Sequence, residues 1–453
     1  MTEPLALAER ALAAAAGDEM EALVHAERSG LARFAASDVH QPTLIENVSV
    51  QLRVVRDGSV GWASTNRLSD EGLAVLARRA GEAAASAPRD PRFDGLARGE
   101  DLPSIEGYDE ETASLAASDQ ARLARDAIDA ADRNVYGFFT SGATEIAIAS
   151  STGLRAEQRL TDATFLVLAA TDGESGYAEA TSWAVGALDP VAVAEEATAK
   201  AAKTRGAREL EPGRYRAVLE PYAFAELLDY FAWDSLNGLG VLEERSFLTG
   251  RFGEPLFDEK LSIADDALDP GGLPRAFDFE GTPKQRVQLI EDGVARGVVW
   301  DRQTAASAGG NATSTGHAPP VALRQYGPAA TALSVAPGTA DSVGELVRLV
   351  DDGIYVTRLH YLSVVDPREG VVTGMTRDGT FRIRDGRIAE PLVNLRFTAA
   401  VPEVLADVVG LGREVVLVNR SDFYDERDPY GVLCPPIATA GFTITGSGSG
   451  PGL

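Results

Sequence analysis

The order of apolar and polar positions predicts a helix and a hairpin at the start of the chain. Apolar residues recur at helical spacing over residues 5–30, and Gly30 is expected to end that helix. Residues 45–55 then mix β-branched and polar side chains, as a half-buried strand does. The sequence Arg56-Asp57-Gly58-Ser59 is typical of a tight turn, and residues 60–65 are expected to return as the second strand.

A second helix is predicted to complete this first unit. Ser69 precedes Asp-Glu-Gly and has the side chain of an N-cap, so we expect a helix that ends near Ala87. Residues 1–87 are therefore predicted to form an amino-terminal α+β module with antiparallel strands. Residues 88–107 are rich in Pro, Gly and charge, which is typical of a linker.

The middle of the chain has the pattern of a meander between two helices. We expect helices at about 118–133 and 189–206, and strands at 136–150, 156–171 and 175–186. Short turn sequences separate the strands, which favours antiparallel neighbours. Residues 108–211 are accordingly predicted to be a middle domain.

The remaining pattern predicts a larger, β-rich carboxy-terminal domain over residues 212–445. The predicted elements are a helix at 222–236 and strands at 215–219, 286–291, 294–300, 353–358, 371–377, 381–384 and 442–445. Residues 446–453 are mostly Gly and Ser and are expected to be a flexible tail. The predicted fold class for the whole chain is α+β.

Charge narrows the classes of partner. The 453 residues include 42 Lys and Arg against 68 Asp and Glu, a formal net charge of −26. Such a surface repels phosphates, so neither nucleic acid nor an anionic membrane is an expected partner. We also see no secretion-signal pattern and no apolar run of the ~20 residues that a membrane span needs, so we expect a cytoplasmic protein.

Metal-binding residue types are few and scattered. The histidines are His25, His40, His317 and His360, and the only cysteine is Cys434. No two histidines lie within one helical turn, which excludes a His-Glu-x-x-His zinc site. His317, His360 and Cys434 could still supply three zinc ligands, with Asp366 or Glu369 as base, although nothing in their spacing favours convergence. The alternative is that they are buried structural side chains.

Carboxylates and two unusual turns are the other candidates. Acidic pairs occur at Asp265-Asp266, Asp278-Phe279-Glu280 and Asp425-Glu426. They could bind a divalent cation or act as acid and base, but such residues more often cap helices or pair with arginines. The segments 275–283 and 373–381 combine glycine, aromatic and charged residues, as cleft-lining loops often do.

Several segments together resemble the TldD/TldE (PmbA) metalloprotease family. The similar segments, in order, are Arg33–Ser37, Gly61–Asn66, Ser246–Gly250, Phe277–Pro283, Leu289–Val294, Asp301–Ala305 and Asp352–Thr357. The TldD kind of subunit carries His-Glu-x-x-x-His on a helix early in the carboxy-terminal domain, and a cysteine ligand near the end. The corresponding helix here, Leu227–Leu236, has neither histidine nor glutamate, while Cys434 lies near the position of the late cysteine.

The resemblance therefore implies a TldE/PmbA-like subunit with no catalytic residue, metal ligand or cofactor of its own. It implies a heterodimer or larger assembly in which a TldD-type partner holds zinc and cleaves unfolded or modified peptides. Candidate substrate-cleft residues in this chain are His360, Tyr361, Arg377 and Asp378. Two alternatives stay open: a self-sufficient metallopeptidase with a divergent His317, His360 and Cys434 site, and a peptide-binding scaffold without a protease partner.

Overall fold

Three β-sheets organise the protein. The computed structural model describes residues 3–171, 173–421 and 426–448. Two sheets have six strands each and the third has seven, and helices pack against all three. The predicted α+β fold with a β-rich carboxy-terminal region is confirmed. No helix in the described part of the chain has the length and apolar character needed to cross a membrane.

The first sheet is antiparallel and joins the two predicted amino-terminal units. Its strands are β1 Glu19–Ala35, β2 Asp38–Arg56, β3 Ser59–Thr65, β4 Val135–Ser150, β5 Arg155–Thr171 and β6 Glu174–Ser182. Their order is β3-β2-β1-β4-β5-β6. The pairing of β1 with β4 therefore joins the strands before and after the segment 88–107 into one sheet. That segment is fully described and contains no helix or strand. The division into an amino-terminal and a middle domain stays a prediction.

The prediction of one helix over residues 5–30 is wrong. A helix, α1, covers only Pro4–Ala13, and the chain is extended from Glu19 onward as β1. Ala22 and Val24 on one face of β1 pack below α1, whereas Leu23 on the other face packs with residues of the carboxy-terminal half. Because both faces of β1 are covered, its apolar residues are nearly continuous and imitate helical spacing.

Gly30 lies inside β1 and does not end a helix. A Cβ atom at Gly30 would come within 2.3 Å of the Gln120 side chain, so the glycine permits close approach of the helix that crosses the strand. The β1–β2 hairpin is also longer than expected, since β2 begins at Asp38 rather than near residue 45.

Helices cover the first sheet. They are α2 Asp70–Ser86, α3 Glu110–Ser114, α4 Ala117–Ala130 and α5 Pro190–Ala201. A 3-10 turn at Val185–Ala187 precedes α5. The predicted N-cap is confirmed, because the Ser69 hydroxyl accepts a hydrogen bond from the Gly72 N–H at 3.2 Å. Helix α1 packs on β1 and β4, and α2 on β2 and β3. Helix α4 packs on β1, β2 and β4, and α5 on β5 and β6.

The carboxy-terminal half contains the other two sheets. The second sheet comprises β8 Ile263–Asp265, β9 Val287–Glu291, β10 Val294–Ala295, β11 Leu333–Val335, β17 Val416–Asn419 and β18 Gly431–Cys434. The third comprises β7 Gly213–Leu219, β12 Gly353–Asp366, β13 Val371–Arg384, β14 Arg387–Leu392, β15 Leu395–Ala400, β16 Val408–Leu411 and β19 Ile437–Ser447. In the second sheet the order is β10-β9-β8-β11-β18-β17, which leaves β17 at an edge.

One helix, α6 at Pro221–Ser235, lies at the centre of this half. It contacts β12 of the third sheet and β17 and β18 of the second, and its apolar side chains belong to the largest core of the protein. The remaining helices are α7 Gly238–Leu242, α8 Arg302–Ala308, α9 Val343–Val350 and α10 Val401–Ala406, with a 3-10 turn at Val321–Tyr326. The position of α6 fixes the functional site described below.

Several strand predictions change in this half. The expected strands 371–377 and 381–384 are one continuous strand, β13, and only two residues of 294–300 belong to a strand, β10. The last strand extends through Ser447, with Gly446 opposite Arg396, so a flexible tail beginning at residue 446 is wrong. Residues 449–453 lie outside the described residues.

Candidate functional site

A cleft of about 420 Å³ lies where the first sheet meets the carboxy-terminal half. One wall carries Phe138, Leu166, Tyr177 and Glu179 from β4, β5 and β6, and the other carries Tyr222, Glu226, Arg358, His360, Asn419, Arg420 and Ser421. The second group comes from α6, β12 and the end of β17. Both halves of the chain are therefore needed to form the cleft.

Two acids on α6 point toward this region. Glu226 and Asp229 are three residues apart, a spacing that places both side chains on one face of a helix. Burial raises the pKa of Asp229, against the opposing charge of Arg420, whose Nε lies 3.1 Å from Asp229 Oδ2. Burial also raises the pKa of Glu226 to about 7, although Arg420 and Arg358 oppose it. At neutral pH Glu226 is thus poised between its two protonation states.

Glu226 is not among the site residues expected from the sequence. The helix predicted at 222–236 already contains Glu226, but the resemblance to the family motif covered only Leu227–Leu236. In the structure α6 spans Pro221–Ser235 and includes this glutamate. The available signal was a single acid within the otherwise apolar run Pro-Tyr-Ala-Phe-Ala-Glu-Leu-Leu. A lone carboxyl in such a run must face either a charge partner or a cavity.

Asp378 lies behind the cleft wall and binds Arg358, which lines the cleft. It is 2% exposed, and its Oδ2 accepts a hydrogen bond from Arg358 Nε at 2.6 Å. Burial is the largest single influence and disfavours the charge on Arg358, but Asp378, Tyr177 and Glu226 together outweigh it, and the pKa of Arg358 is raised. The guanidinium of Arg358 lies 4.3 Å from the centre of the Tyr177 ring. Asp378 therefore positions Arg358, and neither Asp378 nor Arg377 lines the cleft.

His360 lies in the cleft, and Tyr361 lies beside it. The pKa of His360 is lowered to about 4 by burial and by the nearby charges of Arg358 and Arg377, so this imidazole is neutral at pH 7. The ring of Tyr361 is centred 4.2 Å from that of His360, but Tyr361 is 79% exposed and is not part of the cleft wall.

The structure does not bring His317 and Cys434 to His360. Both ring nitrogens of the buried His317 are bonded: Nε2 lies 2.8 Å from Asp265 Oδ1, and Nδ1 lies 2.9 Å from Thr315 Oγ1. The Cys434 thiol is in the core, 3.6 Å from the Pro221 carbonyl oxygen, and burial raises its pKa. Over residues 3–171, 173–421 and 426–448, no three His, Cys, Asp or Glu side chains form a group suited to a metal.

The donor set therefore does not fit a zinc site within the described residues. His317 has no free ring nitrogen, Cys434 is held as a thiol, and Asp229 is already neutralised by Arg420. The two acids considered as a base belong to a turn, in which Asp366 Oδ1 accepts the N–H groups of Arg368 and Glu369 at 3.0 and 3.3 Å.

The segment 275–283 is a turn that buries two acids. Asp278 Oδ1 accepts the N–H groups of Glu280 and Thr282 at 2.9 and 3.0 Å, which shapes the turn. Glu280 then contacts Arg324 at 2.8 Å and Arg53 of β2 at 3.3 Å, and so connects the two halves of the chain. Asp425, of the third acidic pair, lies outside the described residues.

Three consecutive family models match the chain. They are described as PmbA/TldA metallopeptidase domain 1, matching residues 20–84, the central domain, matching residues 107–205, and the C-terminal domain, matching residues 212–446. The chain belongs to the PmbA/TldD metallopeptidase family. The cleft helix α6 lies near the start of the family's C-terminal domain.

Individual relatives agree with this family. A protein named metalloprotease from Methanothermobacter thermautotrophicus is 30% identical over 45% of this chain, and the match spans only 43% of that protein's length. A metalloprotease from Synechocystis is 25% identical over 81% of each chain. The crystal structure of TldE from Thermococcus kodakarensis has the same fold, with a TM-score of 0.85, 20% identity and coverage of 95% of this chain and 97% of that one.

Proposed function

We propose that this chain is a TldE-like, non-catalytic subunit of a heteromeric zinc metallopeptidase and holds unfolded or modified peptides for cleavage by a TldD-type partner. The observation that carries the proposal is the Asp229–Arg420 ion pair on α6, the helix that resembles the ligand helix of zinc-bearing members. The Asp229 carboxylate is already paired with the Arg420 guanidinium, so it is not available to a metal cation there. The shared fold with a protein named TldE supports the same assignment.

The cleft supports a role in holding peptide. Its wall combines cationic Arg358 and Arg420 with the rings of Tyr177 and Tyr222, which suits contact with varied side chains. Strand β17 is an edge of the second sheet, and its last two residues, Val418 and Asn419, line the cleft. An extended peptide adding to that edge would displace the Glu179 carboxylate, which accepts the Asn419 N–H at 2.9 Å, and would be recognised through its backbone, largely independently of sequence.

An exposed apolar patch supports a protein partner. Tyr361, Val364 and Val365 on β12 are 79%, 39% and 57% exposed, and they lie next to the cleft residue His360 in sequence. Exposed apolar groups of this kind mark contact surfaces more often than isolated ones do. A TldD-type subunit docked on this patch would lie beside the cleft.

The test is co-expression with a TldD-type chain that carries His-Glu-x-x-x-His. We expect a stable complex that cleaves an unstructured fluorogenic peptide, whereas this chain alone is inert. Replacing the motif glutamate of the partner should abolish cleavage without dissolving the complex. Chelator-sensitive cleavage by the purified single chain would instead establish the self-sufficient metallopeptidase, and failure to form any complex would establish the scaffold.

A cleft variant adds a second readout on the complex. His360→Ala removes a cleft side chain that makes no hydrogen bond to any residue the structure describes, so we expect a several-fold higher KM with kcat nearly unchanged. His40→Ala, at an exposed position of β2, is the matched control and should change neither constant. We propose a cytoplasmic complex, since the buried thiol of Cys434 needs no oxidising compartment.

A further inference from the structure

A second cavity, of about 490 Å³, shares only Arg420 with the cleft. Most of its wall area is apolar and includes Trp233, Phe279, Pro319 and Leu323. The charged side chains in the wall are three cations and three acids: Arg275, Lys284, Arg420, Asp278, Glu426 and Asp428. The family comparison and the proposed function leave this cavity without a role. A cavity with a mostly apolar wall area and polar groups at fixed places in it is the usual form of a small-ligand site.

Lys284 is the unusual residue in this cavity. The chain has four lysines; Lys200 pairs with Glu196 and Glu220 at 2.6 Å each, Lys260 pairs with Asp258 at 3.1 Å, and Lys203 is exposed. Lys284 is only 5% exposed and lines the cavity. Among the described residues, its ammonium group has no hydrogen-bond acceptor and no carboxylate within 4.0 Å.

The acids nearest to Lys284 are already bonded to other groups. Asp265 accepts from His317 Nε2 and from the Ala332 N–H, each at 2.8 Å. Asp278 accepts from three backbone N–H groups, and Asp428 pairs with Arg275. Since an unpaired buried ammonium is strongly unfavourable, burial lowers the pKa of Lys284. A missing partner of opposite charge would explain why the chain keeps a lysine here.

We propose that this cavity binds an organic carboxylate with an apolar body, with Lys284 contacting the carboxylate and the walls around Trp233 and Phe279 contacting the apolar part. Two sources share this chemistry: the carboxy-terminus of a peptide that ends in an apolar residue, and a free small acid. The site requires only this chain, so it does not depend on the proposed protease partnership.

Calorimetric titration of the full chain distinguishes the sources. The probes are 4-phenylbutyrate with its neutral amide, and a short peptide ending in Phe with a free or an amidated carboxy-terminus. We expect each acid to bind more tightly than its amide. If only the peptide with a free carboxy-terminus binds, the ligand is a peptide terminus. If only phenylbutyrate binds, the ligand is a free small acid. Equal affinity of acid and amide, or no binding at millimolar concentration, would overturn the proposal.

Lys284→Met tests the contact itself. The variant keeps the length of the side chain and removes the charge, so we expect about 10- to 100-fold weaker carboxylate binding. Lys203→Met is the matched control and should bind as the wild type does. Without ligand, Lys284→Met should unfold at the same or a higher temperature, because it removes an unpaired buried charge. A lower unfolding temperature would show that the fold itself satisfies the ammonium. Unchanged binding would show that Lys284 does not contact the carboxylate.

Discussion

Arg420 Nε lies 3.1 Å from Asp229 Oδ2, on the helix face that meets the cleft. The Asp229 and Arg420 side chains are only 8% and 20% exposed. Arg420 also faces Glu226, one turn earlier on α6, and it lines both cavities. One guanidinium thus balances two acids at the junction of the cleft and the second cavity.

We expect this pair to be important for folding. Arg420→Gln leaves Asp229 buried without its cation, which should lower the free energy of unfolding by about 3–5 kcal/mol in urea titrations. Adding Asp229→Asn should recover part of the loss, because the buried charge is then removed. Arg78→Gln, from an exposed pair with Glu82, is the control and should cost less than about 1 kcal/mol. A similar small loss for Arg420→Gln would mean that water reaches Asp229.

Glu226 should make stability depend on pH. Its pKa is about 7 in the folded protein, against an ordinary value of 4.5, so between these values the folded state holds a proton that the unfolded state has lost. Its contribution to stability is therefore complete below about pH 4.5 and is lost as pH rises through 7.

Glu226→Gln cannot lose that proton. The variant should match the wild type near pH 4 and exceed its free energy of unfolding by roughly 1–3 kcal/mol at pH 8. Urea titrations across this range measure the difference, with Glu157→Gln, at an exposed position of β5, as the control. A constant difference across the range would show that Glu226 stays charged in the folded protein.

Local chemistry made much of the fold predictable. The cap at Ser69, the hairpin turn at Asp57-Gly58 and the helix now bounded as α6 all depend on neighbouring residues, and all are confirmed. Strand β1 was not predictable in this way. Its two apolar faces are explained by α1 on one side and by Phe277 on the other, more than 200 residues away in sequence. Periodicity alone cannot distinguish such a strand from a helix.

The candidate site shows the same limit. His360 could be chosen for its residue type, and it does lie in the cleft. Asp378 was chosen with it, but the structure makes it the support of Arg358, a contact set by pairing of β12 with β13. Neither Arg420 nor Lys284 carried a sequence signal, because what distinguishes them is which charged groups the fold places around them.

Glu280 should hold the two halves of the chain together. It contacts Arg53 and Arg324, and the two guanidinium groups lie 4.8 and 4.6 Å from the centre of the Trp62 ring. Glu280→Gln leaves these buried cations without their shared anion, so we expect a loss of about 3–5 kcal/mol and a change in tryptophan fluorescence. Glu21, 3.8 Å from Arg53, should keep the loss near the lower end.

Two controls separate this network from general destabilisation. Asp70→Asn, in an exposed pair with Arg10, should cost less than about 1 kcal/mol. The fluorescence change should be absent when Trp62 is replaced by Phe in both proteins. A change that persists without Trp62 would place the disturbance at another tryptophan, outside the Arg53–Glu280–Arg324 network.

The Cys434 thiol should be unreactive in the folded protein. Cys434 is completely buried, burial raises the pKa of its thiol, and thiolate is the reactive and metal-binding form. Because it is the only cysteine, its reaction with a disulfide reagent at pH 8 reports opening of the carboxy-terminal core. We expect the reaction to be at least about 10³-fold slower than in denatured protein.

In a Cys434→Ala background, Ser86→Cys, at the exposed end of α2, should react almost as fast as a denatured thiol. Added zinc should change neither rate, since the neighbours of Cys434 among the described residues offer no further ligands. Fast, stoichiometric reaction of native Cys434, slowed by zinc, would contradict this structural role and favour a metal site in this chain.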